Sequence, residues 1–132
     1  MVGDVVGGVG LRALLEHLPA LREAHAPDIV VVNAENAAAG SGTAPRQVEQ
    51  LLDAGVDVLT GGNHTLRRSE TLPLLASEPR LLRPANIAVK APGRGLVTVQ
   101  TPAGPVSVVN LMGAVFMTVS QSPFMIIDDL VR

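Results

Sequence analysis

The clearest hydrophobic pattern in the chain is a run of β-branched residues from Ile29 to Val32 that ends in polar side chains. A continuous apolar run of this length predicts a strand covered on both faces, as in a parallel sheet. In an open α/β sheet the ligand crevice lies at the carboxyl ends of the strands, so Asn33, Glu35 and Asn36 are candidate functional residues. Taken alone, these residues could equally shape a turn or cap the next helix.

The remaining hydrophobic periodicity predicts an alternation of helices and strands. We expect an amphipathic helix over residues 11–24, with Pro19 as a kink, and further helices over 45–54, 69–76 and from 123 onward. Strands are expected over 56–60, 96–100 and 106–110, the last two forming a hairpin, with loops at 83–86 and 91–95. This order predicts an α/β fold.

A Gly-rich segment, residues 1–10, precedes the first predicted helix. A loop of this kind normally follows a strand, and a strand averages about five or six residues. Only Met1 and Val2 stand before Gly3-Asp4. The first strand is therefore expected to be missing or reduced to a stub.

Composition excludes some classes of function. A length of 132 residues limits the chain to one domain. The share of hydrophobic residues is 47% and that of aromatic residues only 2%, which indicates an aliphatic core. The net charge of −2 gives no excess of positive charge of the kind that binds DNA or an anionic membrane. Without cysteine, any metal must be held by oxygen and imidazole. No signal peptide is expected, and a cytoplasmic setting is compatible with the composition.

Three polar clusters recur at intervals of about 30 residues, the length of a βαβ unit. They contain Asp4, then Asn33 with Glu35 and Asn36, then Asn63-His64. Because parallel strands bring their carboxyl ends together, the three clusters are expected to form one site. Carboxylates, amide oxygens and an imidazole suit a divalent cation such as manganese or iron(II), with His64 as a proton donor or charge stabiliser. Ordinary turn chemistry at Asp4 and Asn63 is the plainer alternative.

Seven motifs carry a resemblance to a known family. In chain order they are Gly3-Asp4-Val5-Val6-Gly7, Asn33-Ala34-Glu35-Asn36, Ala54-Gly55-Val56-Asp57, Gly62-Asn63-His64, Arg83-Pro84-Ala85-Asn86, Pro92-Gly93-Arg94-Gly95 and Asn110-Leu111-Met112-Gly113 with Val115-Phe116-Met117. Together they resemble the YmdB-like branch of the calcineurin-like metallophosphoesterases over nearly the whole chain. The resemblance implies a partial domain over residues 1–132: a metallophosphoesterase sandwich of sheet and helices that lacks its first strand and its C-terminal half.

The resemblance also implies a function, namely that of a phosphodiesterase that hydrolyses 2′,3′-cyclic nucleotides or similar phosphoesters through a metal-activated hydroxide. The implied enzyme uses two divalent ions, for which iron or manganese is favoured. Carried over by position, Asp4 would bind one metal, Glu35 would bridge both, Asn36 and Asn63 would bind the second, and His64 would donate the proton. The expected partner is a small phosphodiester or cyclic nucleotide, without DNA or a membrane.

The chain departs from the family pattern in ways that bear on this function. Members are roughly twice as long, and their later half supplies histidines to the metal shell, so the site is expected to be incomplete and this chain alone weakly active or inactive. Leu66 and Arg67 stand where the family has an aromatic and an acidic residue, Ile87 replaces a Tyr, and Gln121 an Asp. These changes bear on pocket shape. His17 and His25 are expected to be solvated rather than ligating.

Two other classes of function stay open. The segment from Gly8 to Ala13 matches the G-x-G-x-x-A dinucleotide fingerprint, which needs a full strand before it and an acidic residue at the end of the second strand. Alternatively, the chain is a catalytically inactive α/β interaction module, because an incomplete sheet leaves strand edges and apolar surface uncovered. That interpretation allows a homo-oligomer.

Overall fold

Short parallel strands lie at the centre of the molecule. The computed structural model describes residues 1–88 and 90–132. Its central sheet has the order β1 (Val31–Asn33), β2 (Val58–Thr60) and β3 (Leu81–Leu82). Both pairings are parallel. The predicted α/β class is confirmed. β1 and β2 are shorter than predicted, and β3 was not predicted from the sequence.

Within the described part of the chain, four helices accompany the sheet. They are α1 (Gly7–His25), α2 (Pro45–Asp53), α3 (Leu72–Ser77) and α4 (Pro123–Leu130). α2 begins at its proline, whose fixed φ and missing N–H suit the first helical position. α3 is shorter than predicted because Ser69–Thr71 forms a 3₁₀ turn before it. α4 has the predicted start.

The start of α1 corrects the sequence prediction. Gly7 to Gly10 are helical, and α1 continues through Pro19 to His25. Glycine disfavours helices by about 1 kcal/mol per residue relative to alanine, so tertiary contacts have overridden propensity here. The Gly7 N–H donates to the Asn36 carbonyl at 2.8 Å, which fixes the first turn. The dinucleotide fingerprint therefore lies inside the helix and not in a loop between strand and helix.

The two faces of the sheet are covered by different elements. One face carries the main core, to which α1 contributes Leu11, Leu14 and Leu18, at the spacing of one helical face. α2 adds Val48 and Leu51 to the same core. The prediction that the central strands are covered on both faces is confirmed, because a β-hairpin lies on the other side.

The hairpin pairs β4 (Leu96–Thr101) with β5 (Gly104–Val109) in antiparallel register. It confirms the hairpin prediction. Val97, Val99 and Val108 are half-buried and pack against a small cluster formed by Val31, Val58 and Leu82. The hairpin face of the sheet thus has a much smaller core than the helix face.

At the outer edge of β1, the chain's first residues form a stub of strand. Val2 makes an isolated parallel bridge to Val32. Its N–H donates to the Val31 carbonyl at 2.8 Å, and the Asn33 N–H donates to its carbonyl at 3.1 Å. The stub expected from the sequence is confirmed, and it places Asp4 beside the end of β1.

Several large apolar side chains remain exposed. They are Met1, Val6, Val9, Leu21, Val115, Phe116, Met117, Phe124, Met125 and Val131. α4 buries only Ile126. Among the described residues, no helix combines the length and the apolar character needed to cross a lipid bilayer.

Candidate active site at the carboxyl ends of the strands

Loops that leave parallel strands at the same edge bring the three predicted polar clusters together. Asp4 follows the Val2 bridge, Asn33 ends β1, and His64 lies in the turn after β2. The first two loops are joined by the backbone, since the Val5 N–H donates to the Asn33 carbonyl at 3.0 Å. The edge of the sheet therefore fixes the position of each candidate side chain.

A chain of side-chain hydrogen bonds links residues from all three loops. The Asn36 amide nitrogen donates to Asp4 Oδ2 at 2.8 Å, and Asn36 Oδ1 lies 2.5 Å from His64 Nδ1. Because an amide oxygen only accepts, Nδ1 of His64 is the donor in this arrangement. Nε2 is then the imidazole nitrogen left for another partner.

Two hydrogen bonds between backbone and side-chain groups hold Glu35 beside these residues. Its N–H donates to Asn33 Oδ1 at 3.0 Å, and its carboxylate accepts the His64 backbone N–H at 3.3 Å. A Cβ atom at Gly62 would overlap the Glu35 carboxylate. Only glycine at this position leaves room for the carboxylate.

Thr65 and Asn110 also hold the turn after β2. The Thr65 hydroxyl accepts the Gly62 N–H at 2.8 Å and donates to the Gly62 carbonyl at 2.8 Å. The Asn110 amide donates to the Gly61 carbonyl at 3.0 Å and to the Leu82 carbonyl at 3.3 Å. No role was predicted for Thr65 from the sequence. For Asn110, the available signal was a polar residue at the end of a predicted strand.

Asn63 occupies a different position from the other predicted ligands. It is exposed, and no described residue makes a hydrogen bond with its side chain. It lies on the rim of a cleft of about 700 Å³ between the sheet edge and the hairpin, which Glu35 and Thr60 also line. The Thr60 hydroxyl is buried without a hydrogen-bond partner among the described residues.

The donor set fits part of a metal site. Asp4 Oδ2 lies 2.8 Å from the amide nitrogen of Asn36, so a carboxylate and an amide stand side by side, and Glu35 adds a second carboxylate next to them. Carboxylate and amide oxygens are ligands that divalent cations bind in proteins. Within residues 1–88 and 90–132, no group of three His, Asp or Glu side chains is placed to hold a metal. Further ligands are therefore needed.

The other histidines do not join the site. His17 is exposed on α1, and His25 borders a separate cleft next to Pro27 and Ile29, at the opposite end of β1. Neither position brings an imidazole near the carboxyl ends of the strands.

Two arginines near the site, Arg68 and Arg83, bind backbone carbonyls of neighbouring loops. Arg68 donates to the Ala38 carbonyl at 2.8 Å and to the Ser41 carbonyl at 3.0 Å. Arg83 is buried, which lowers its pKa from the ordinary arginine value, and its guanidinium donates to backbone carbonyls, including that of Pro84 at 2.9 Å. These contacts hold loops in place, and we assign neither Arg68 nor Arg83 a role in phosphate binding.

Comparisons with known proteins bear on the family and the fold of this chain. A family model described as YmdB-like protein matches residues 1–132. The 2′,3′-cyclic-nucleotide 2′-phosphodiesterase of Bacillus subtilis (strain 168) is 35% identical over 130 residues, which cover 98% of this chain and 49% of that protein.

Two crystal structures have the same fold. One, a hypothetical protein from Thermus thermophilus, has a TM-score of 0.89 and 37% identity, and the match covers 98% of this chain and 52% of that one. The other, described as a novel phosphatase from Mycoplasma pneumoniae, has a TM-score of 0.86 and 29% identity, covering 98% of this chain and 48% of that one. The chain thus spans about half the length of the relatives that it matches. With the family model matched over residues 1–132, the chain belongs to the YmdB-like family.

Proposed function

We propose that this chain carries part of the active site of a metal-dependent phosphodiesterase that hydrolyses 2′,3′-cyclic nucleotides or similar phosphoesters. The observation that carries the proposal is the hydrogen-bonded series Asp4, Asn36 and His64, with Glu35 beside it, at the carboxyl edge of the sheet. The name of the Bacillus relative supports the same substrate class.

Four residues would hold two divalent ions, for which iron or manganese is the expected identity. Asp4 would bind one ion, Glu35 both, and Asn36 and Asn63 the second. When bound, such a pair of cations activates a water molecule and stabilises the charge that develops on the phosphoryl oxygens. The site is partial in this chain, so we expect weak or absent turnover by these 132 residues alone.

His64 would donate a proton to the leaving oxygen when one P–O bond of the ester breaks. The form that can give up a proton is the imidazolium, which carries a hydrogen on both ring nitrogens. Asn36 Oδ1, 2.5 Å from Nδ1, accepts the hydrogen bond from that nitrogen, so the hydrogen on Nε2 is the one left for transfer. After the transfer the neutral imidazole remains, with its hydrogen on Nδ1.

The test compares this chain with the same chain fused to the C-terminal half of the Bacillus relative. Metal content by mass spectrometry and hydrolysis of bis(p-nitrophenyl) phosphate are measured for both. We expect two ions and turnover in the fusion only. In the fusion, His64→Asn should lower kcat about 10²- to 10⁴-fold, and the control His17→Asn should leave it unchanged. Robust turnover by the unfused chain would refute the partial site.

A second candidate function is a catalytically inactive interaction module, in the form of a homo-oligomer. The exposed apolar side chains near the C-terminal end favour it, above all Phe116 and Phe124. A folded fusion that binds no metal, together with a concentration-dependent oligomer of this chain in light scattering, would support this alternative over the enzyme.

A further inference from the structure

A second, smaller cleft lies on the other side of Asn63. Its volume is about 300 Å³, at the lower end of the range for ligand pockets. Six residues line it: Asn63, Leu66, Ile87, Met112, Met117 and Thr118. Asn63, Met112 and Met117 also line the larger cleft, so the two clefts meet at these residues.

Part of the wall of the smaller cleft is fixed by contacts outside it. The Met112 N–H donates to Asn86 Oδ1 at 3.0 Å, and the Asn86 amide donates back to the Met112 carbonyl at 2.8 Å. Asn86 is fully buried, so Met112 is held against the interior of the protein. Leu66 packs against the main core. The cleft is therefore largely formed before any ligand arrives.

The chemistry of the lining suits a neutral, flat ring. Two aliphatic and two thioether side chains form the walls, and among the described lining residues no side chain is charged. Methionine sulfur makes favourable contacts with aromatic rings, and its flexible side chain adapts to their shape. The polar groups, on Asn63 and Thr118, can offer hydrogen bonds to the edge of a ring.

We infer that this cleft holds the nucleobase of a nucleotide whose phosphate lies at the carboxyl edge of the sheet. The inference rests on the proposed function, because it places the phosphate in the larger cleft, which Glu35 and Asn63 line, and the base in the smaller one. The ribose would then span Asn63. Leu66 and Ile87 offer no aromatic ring for stacking, so we expect the protein to bind different bases with similar affinity.

The methionines provide a direct test. The chain contains four, of which Met112 and Met117 line the cleft, whereas Met125 lies exposed on α4. The protein is labelled with ¹³C at the methionine ε-methyl groups and titrated without metal, first with adenosine 3′-monophosphate and then with ribose 5-phosphate. The adenine ring current should shift the Met112 and Met117 signals in a saturable manner, while Met125 stays unchanged. Ribose 5-phosphate should shift neither cleft methyl in this way.

Two variants sharpen the test and assign the signals. Met117→Ala removes an exposed wall of the cleft and should weaken nucleotide binding about three- to tenfold. The matched control Met125→Ala should leave the affinity unchanged. Equal shifts at Met125, or no shift at Met112 and Met117, would overturn the inference. Because no metal is present, this result is separate from metal binding and turnover in the fusion, which test the proposed function.

Discussion

The two faces of the central sheet differ in how completely they are packed. On the helix face, β1 and β2 contribute Val32 and Leu59 to the main core beneath α1 and α2. On the hairpin face, the apolar cluster contains only three buried residues among those described, Val31, Val58 and Leu82, and the hairpin leaves a cleft of about 700 Å³ at the strand ends. The helix face supplies most of the stability, and the loosely covered face leaves the space in which a ligand can bind.

The largest expected difference between the two faces concerns leucine truncation. Leu51 is fully buried on the inner face of α2, so Leu51→Ala should lower the free energy of unfolding by about 2–5 kcal/mol. The matched control is Leu111→Ala, since Leu111 is half-buried and lines the larger cleft. Its loss should cost less than about 1 kcal/mol, because no closed cavity is created. Urea denaturation measures both, and equal costs would refute the comparison.

Two glycines that line the larger cleft give the next test. Gly62→Ala forces the new Cβ against the Glu35 carboxylate, which is the end of a flexible side chain and can turn aside, so the variant should displace that carboxylate at little cost in stability. Gly113 also lines the cleft, but a Cβ there has no neighbour within 4 Å, so Gly113→Ala is the control. In the fusion protein, only Gly62→Ala should lose metal. Unchanged metal content in that variant would show that the position of Glu35 does not matter.

The sequence predicted that the three polar clusters would meet at one sheet edge, but it did not predict all the elements that hold them there. Polar residues after successive buried strands can meet only at one sheet edge, so the convergence of Asp4, Asn36 and His64 followed from pattern and topology. β3 has two residues and no periodicity to detect. The close approach of Gly62 to Glu35 depends on tertiary packing, which no local pattern encodes.

A pair of threonines at the same turn tests whether hydrogen bonding there stabilises the fold. Thr65→Val removes the hydroxyl that bonds both polar backbone groups of Gly62 and should cost about 1–2 kcal/mol. Thr60→Val removes a buried hydroxyl that has no partner among the described residues, so it should be neutral or stabilise by up to about 1 kcal/mol. Thermal unfolding of both variants decides this, and a destabilised Thr60→Val would show that its hydroxyl has a partner in solution.

The smallest expected effect lies away from both faces, in the ion pair that precedes β3. Arg80 donates to both carboxylate oxygens of Glu78, at 2.9 and 3.0 Å, and this contact holds the pKa of Glu78 below its ordinary value. The pair therefore stabilises the fold above the pKa of Glu78 in the unfolded chain, and the contribution is lost as pH falls through the lower pKa of the folded state. The Arg80 side chain is 46% exposed, and solvent screening limits the contribution to at most about 1 kcal/mol.

Glu78→Gln should be less stable than the parent at pH 7 and equally stable at about pH 2. The control Glu49→Gln, at an exposed position on α2, should match the parent at both pH values. A Glu78→Gln deficit that persists undiminished at the acidic pH would mean that the ion pair is not its cause.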